Sequence, residues 1–205
     1  MTTNIKTLTA AVFLAAALGL AGCAADSGTS GMPMNHGSSG PMSSAMPDAS
    51  SDHNQPDIMF SQMMIPHHAQ AVEMGDIILA KTGVPAPVAS LATRIKEAQA
   101  PEIEQMRGWL EDWKVPTMMD DHSGHGGGMG GMVDEDGITR LKAAEGTDAA
   151  RLFLEQMIGH HEGAIDMAQQ EIGAGKFPAT VQLARDIVKA QEAEITEMKQ
   201  LLTTL

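Results

Sequence analysis

The chain has one cysteine, no tyrosine, four phenylalanines and two tryptophans in 205 residues. A single thiol excludes an internal disulfide and any cluster of thiolate ligands. Basic residues are scarce: 13 Lys and Arg stand against 26 Asp and Glu, for a formal net charge of −13. That balance argues against nucleic-acid binding and against a polybasic membrane-surface patch. The one long apolar run, Ala10 to Leu20, is too short and too poorly flanked to span a bilayer. No Ser/His/Asp or Cys/His nucleophile constellation and no phosphate-binding loop stands out, so no enzymatic activity is expected. Plentiful instead are 17 methionines and eight histidines.

Lys6 opens the apolar run, and residues 1–22 read as a signal peptide. The run ends in Leu20-Ala21-Gly22-Cys23, a pattern that resembles the bacterial lipobox, in which the cysteine sulfur carries a diacylglyceryl group. Cys23 is then a lipidation site, which places the chain outside the cytoplasm and holds it to the membrane by lipid alone. Residues 23–56 are rich in Met, Ser, Gly and Pro with almost no aliphatic side chains, so they cannot build a core and read as a disordered tether.

Beyond the tether one phrase occurs twice at a constant offset of 93. It runs Phe60-x-x-x-Met64-Ile65-Pro66-His67-His68-x-x-Ala71-Val72-Glu73-Met74, then Phe153-x-x-x-Met157-Ile158-Gly159-His160-His161-x-x-Ala164-Ile165-Asp166-Met167. Each copy lies on a 4-3-4-3 apolar stripe, which predicts amphipathic helices over about 57–81 and 148–172. A second pair of stripes repeats at an offset of 92: Ile95, Gln99, Glu102, Met106, Trp109 and Ile187, Gln191, Glu194, Met198, Leu201. These predict helices over about 87–113 and 179–203. A short helix near 138–145 is expected before the third. Asp57 and Asp148 read as N-caps, and Gly83 and Gly173 as stops.

Four such helices predict an all-α, ferritin-like antiparallel four-helix bundle over 57–205. It consists of two repeated hairpins, about 57–113 and 148–205, joined by a loop at about 114–137. Neither hairpin can bury its stripe alone, so the two should share one core. Hairpin register places Gln99 and Glu102 within about one turn of His67, and Gln191 and Glu194 within about one turn of His160. An up-down-up-down order would gather Met63, Met64, Met106, Met157 and Met198 toward one pole. Pro66 and Gly159, at equivalent positions, predict a weak point in each helix before its histidines.

The chemistry rests on the histidine pairs and the methionines near them. On a helix Met64 lies within one turn of both His67 and His68, and Met63 within one turn of His67; Met157 repeats the position of Met64. Imidazole with thioether suits copper, Cu(I) above Cu(II), whereas zinc without cysteine fits less well. The candidate ligands are His67, His68, Met63, Met64 and Met74, and His160, His161, Met157 and Met167. Gln99, Glu102, Gln191 and Glu194 stand behind them to orient the imidazoles. The loop adds Met118, Met119, His122, His125, Met129 and Met132 as a labile metal-capture segment. Against this, stripe methionines commonly serve only as core filler. The repeated phrase, with Gln99-x-x-Glu102-Ile103 and Gln191-x-x-Glu194-Ile195, resembles the domain-of-unknown-function 305 family over about 57–205. The resemblance implies a ferritin-like, exported helical bundle, with copper binding or tolerance in some members.

The leading functional expectation is a lipid-anchored envelope protein that sequesters copper or hands it to a partner protein. The alternatives are a metal-free interaction bundle and a ferritin-like metal oxidase. The oxidase is disfavoured because the four predicted helices carry no Glu-x-x-His pair.

Overall fold

The computed structural model describes residues 52–117 and 130–205, all within one compact unit. Cys23 and the segment carrying Met118, Met119, His122, His125 and Met129 lie outside the described residues. The described chain is all-α: α1 (Gln55–Leu79), α2 (Ala86–Asp112), α3 (Glu135–Ala143), α4 (Gly146–Ala174) and α5 (Pro178–Leu202). No helix among the described residues is long and apolar enough to cross a membrane.

The four long helices fall within a few residues of the predicted stripes, and their ends show which local chemistry sets them. α1 starts at Asn54 rather than Asp57. Asn54 Oδ1 accepts from Asp57 N–H at 3.2 Å, and Asp57 Oδ2 accepts from Asn54 N–H at 2.6 Å. This reciprocal capping box contributes about 1 kcal/mol. Asp148 is likewise a first-turn residue and not the cap, which is Glu145. Gly173 lies inside α4, which ends one residue later at Ala174 with Gly175 as its C-cap. Gly83 sits in the turn after α1 at φ +74°, where glycine is free of strain. α1 continues through Pro66 to Leu79, and α3 begins three residues ahead of its predicted start.

α1 packs chiefly on α2, α4 chiefly on α5, and the pairs meet mainly along α1 and α4. The relative direction of those pairs overturns the up-down-up-down expectation. The start of α1 meets the end of α4: Asn54 Nδ2 donates to Ala174 O at 2.8 Å, and Asp57 Oδ1 accepts from Lys176 and Phe177 N–H, each at 3.0 Å. The end of α1 meets the start of α4, where Lys81 Nζ lies 3.7 Å from Oε1 of Glu145, the residue that caps α4. α4 therefore runs antiparallel to α1. The connection after α2 makes this order reachable, because a dozen extended residues already span about 40 Å, roughly the length of α1.

This reversal relates the halves by a pseudo-two-fold axis across α1 and α4, and the predicted pole does not exist. The methionines divide between two apolar clusters. Met64 and Met106 join Met167 of the other copy, while Met157 and Met198 join Met74. Every long helix contributes to both clusters and interrupts its stripe between them with polar side chains. His67, His68, Gln99, His160, His161 and Gln191 are all buried there. The core is thus two apolar halves separated by a polar layer.

Candidate metal centre

The layer is built from the repeated phrase. All four histidines are at most 1% exposed. His67 and His160 face each other across the axis, with ring centroids 3.8 Å apart and planes tilted by 39°. Their neighbours turn outward to the partner helix of their own hairpin. His68 Nε2–H donates to Glu102 Oε2 at 2.7 Å, and His161 Nε2–H donates to Glu194 Oε2 at 2.7 Å. The hairpin register thus puts both glutamates against the second histidine of each pair. A carboxylate at Nε2 fixes the tautomer and leaves the Nδ1 lone pair exposed to the interior. Gln99 and Gln191 lie in the layer too, but make no hydrogen bond to the histidines.

The layer is short of hydrogen-bond partners within the protein. His67, His68, His160 and His161 each have an unpartnered Nδ1, His160 also has an unpartnered Nε2, and neither Gln99 side-chain atom nor Gln191 Oε1 is paired. Each orphaned buried polar atom costs about 1–3 kcal/mol, so this concentration calls for an explanation. Burial, followed by the charge of His68, pushes the His67 imidazole down to about 4; burial and the neighbouring histidines push His160 well below its ordinary range. Both are neutral lone-pair donors near pH 7.

Whether a metal fits turns on the donor set. Among the described residues no three His, Cys, Asp or Glu side chains converge to hold an ion, so a hard or tetrahedral zinc centre does not suit the layer. Free imidazole nitrogens with Met64 and Met157 one turn away, both fully buried, suit a soft ion of low coordination number. Met74 and Met167 lie on opposite sides of the layer, in the apolar clusters of Met157 and Met64 respectively. Met63 is half-buried and lines a groove with Met167.

One face of the layer is covered by a segment that sequence reasoning missed. Gly130 O accepts from His67 Nε2–H at 3.2 Å. Val133 N–H and O exchange two 2.8 Å bonds with the Gln70 side chain. Residues 130–133, Met132 included, thus form a strap over α4. It fits because α4 has Gly163 where α1 has Gln70: a Cβ at 163 would overlap the Gly130 carbonyl and approach Gly131 Cα to 2.8 Å. Gly131, at φ +83°, would itself meet Gly159 O at 2.6 Å if it carried a Cβ.

A second unforeseen cluster joins the start of α1 to the α4–α5 turn. Buried Thr180 Oγ1 lies 2.9 Å from Asp57 Oδ1 and 2.6 Å from Glu171 Oε1. Burial, reinforced by Asp57, raises the Glu171 carboxyl to about 7, while hydrogen bonds from its neighbours hold Asp57 below its usual range. A protonated Glu171 can donate to Thr180, whose hydroxyl then donates to Asp57.

Comparison with known proteins agrees with this architecture. The family described as "Domain of unknown function (DUF305)" matches residues 57–202. A DUF305 protein from Streptomyces coelicolor is 34% identical, with a TM-score of 0.67 over 73% of this chain and 93% of its own. A DUF305 fragment from Deinococcus radiodurans is 33% identical, with a TM-score of 0.67 over 74% and 98%. CopM in its Cu(II)-bound form is 34% identical, with a TM-score of 0.62 over 72% and 96%, and its Cu(I)-bound form is also similar. The comparison with curated proteins returned no match. With the family match spanning most of the chain, and the repeated His-His phrase at the centre of the fold, the protein belongs to the DUF305 family.

Proposed function

We propose that the protein is an extracytoplasmic copper-binding protein that holds a soft copper ion in the histidine layer and sequesters it or hands it on. The observation that carries this reading is the set of buried, unpartnered imidazole nitrogens at the pseudo-two-fold axis. His67 and His160 are the inner donors, with Met64 and Met157 within a turn. His68 and His161, oriented by Glu102 and Glu194, flank this pair as further imidazoles on either side of the axis. Buried donors fixed by carboxylates behind them would hold an ion out of reach of a substrate, which suits storage or transfer rather than catalysis. Support comes from CopM, solved in Cu(I)-, Cu(II)- and Ag-bound forms. The preference for Cu(I) follows from thioether and neutral imidazole donors.

Within the same reading, the long helices form one bundle of two repeated hairpins. Cys23 carries a lipid that holds the mature chain at the outer face of the bacterial membrane, and Met118, Met119, His122, His125, Met129 and Met132 capture ions loosely. The Streptomyces relative, assigned as secreted, supports the compartment. The test is Cu(I) titration of the mature chain against a chromophoric chelator, with His67, His68, His160 and His161 changed to Ala. Loss of the tightest equivalent is expected. Unchanged stoichiometry and affinity, with only thermal stability altered, would instead favour a metal-free interaction bundle.

A further inference from the structure

The two ends of the α1–α4 contact are equivalent by the repeat but are not built alike. At one end α3 lies over the contact. Leu152 packs on the apolar cluster there, and Gln156 Nε2 donates to Gly137 O at 2.9 Å. At the other end, between the first half of α1 and the last half of α4, is an open groove of about 450 Å³. The counterparts of Leu152 and Gln156 in this groove are Met59 and Met63, one turn apart on the same face of α1. Met167 joins them from α4.

We propose that this groove is a second soft-cation site, separate from the histidine layer, in which Met59, Met63 and Met167 offer thioether sulfurs to Cu(I) or Ag(I). Three observations point to a ligand rather than to loose packing. Met59 is 49% exposed, more than any other large apolar side chain among the described residues. Where a covered position uses Leu and Gln for packing and hydrogen bonding, the open one uses two methionines. Glu171, which also lines the groove and is 2% exposed, has an Oε2 with no partner within the protein. Its repeat counterpart is Ile78, fully buried in the apolar cluster. Its carboxyl adds a polar group to the wall of a groove lined by three thioethers. Soft thioethers select a soft cation over calcium or magnesium.

The position of the groove says what the site does. Its inner wall includes Gly130 and Gly163, and Gly130 O is the atom bonded to His67. An ion held by the three sulfurs would therefore lie beside the strap residue that bonds His67, so the groove is where an ion waits before reaching the layer. This role rests on the copper reading above; the site itself does not.

The test uses the full mature chain with ¹³C-methyl methionine, titrated with Ag(I) in chloride-free buffer. Met59→Leu, Met63→Leu and Met167→Leu assign the three resonances; these swaps conserve volume and keep the fold. The three methyls should shift together in one saturating step, and Met59→Leu with Met63→Leu should remove one equivalent of bound Ag(I). The step should persist when His67 and His160 are changed to Ala. Methyls of Met59 and Met63 that stay still, or that drift without saturating, overturn the proposal. A persistent groove step with no equivalent lost in the histidine variant would sink the histidine-layer reading alone.

Discussion

Gly163→Ala is the sharpest probe of the strap. In a helix interior alanine is favoured over glycine by about 1 kcal/mol. At Gly163 the added Cβ overlaps Gly130 and Gly131 backbone, which cannot rotate away as a side chain can. Lifting the strap forfeits the His67–Gly130 bond and the two Gln70–Val133 bonds, each contributing about 1 kcal/mol. The net expectation is a loss of about 2 kcal/mol, or roughly 4–8 °C in Tm for a domain of this size. Gly159 and Gly173 are controls in the same helix, because a Cβ at either meets nothing within 4 Å. Gly159→Ala should stabilise by up to about 1 kcal/mol and Gly173→Ala, close to the helix end, by less. Urea unfolding followed by circular dichroism at 222 nm measures all three. If Gly163→Ala stabilises as its controls do, the strap does not lie where it is described.

Glu171→Gln should separate from wild type as pH rises. Folded Glu171 keeps its proton to about 7 against an ordinary 4.5, so folding takes up a proton between those values and stability falls through that window. Glutamine copies the protonated form. Its advantage should be near zero at pH 4 and on the order of 3 kcal/mol at pH 8, and a pH-independent difference in thermal melts would refute the assignment. His67 has the opposite sign: with a folded value of about 4 against 6.5, it withholds stability as pH falls from 6.5 through 4. Its ring resonances in the metal-free protein should titrate near the lower value, and a midpoint near 6.5 would show that the imidazole is not buried. Glu194→Gln should weaken Cu(I) binding by about 10–100-fold through loss of the carboxylate behind His161; an unchanged affinity in chelator competition would remove Glu194 from that role.

The helices were legible because their stripes have the right period, and the Glu102 and Glu194 contacts followed from counting residues out from each turn. The direction of α4 was not legible. Both orders bury the same stripes, and a long glycine-rich connection permits either, so only tertiary contacts such as Asn54 with Ala174 and Lys81 with Glu145 decide. The strap was hidden for a related reason. Gly163 opposite Gln70 reads as a small departure between copies until a backbone segment is known to cross it. The Asp57, Thr180 and Glu171 cluster escaped because self-comparison favours what both halves keep. Its counterparts are Ala150, Val88 and Ile78, all buried and apolar, so the cluster was visible only as three coincident differences.

The axis through His67 and His160 makes the two halves related as the subunits of an isologous dimer are, with the same face of each hairpin meeting its own copy. Such an interface offers the same donors from either side, so an ion on the axis belongs equally to both halves. The strap occurs once and has no such counterpart. It is the feature that breaks the symmetry of the layer, covering it on one side alone.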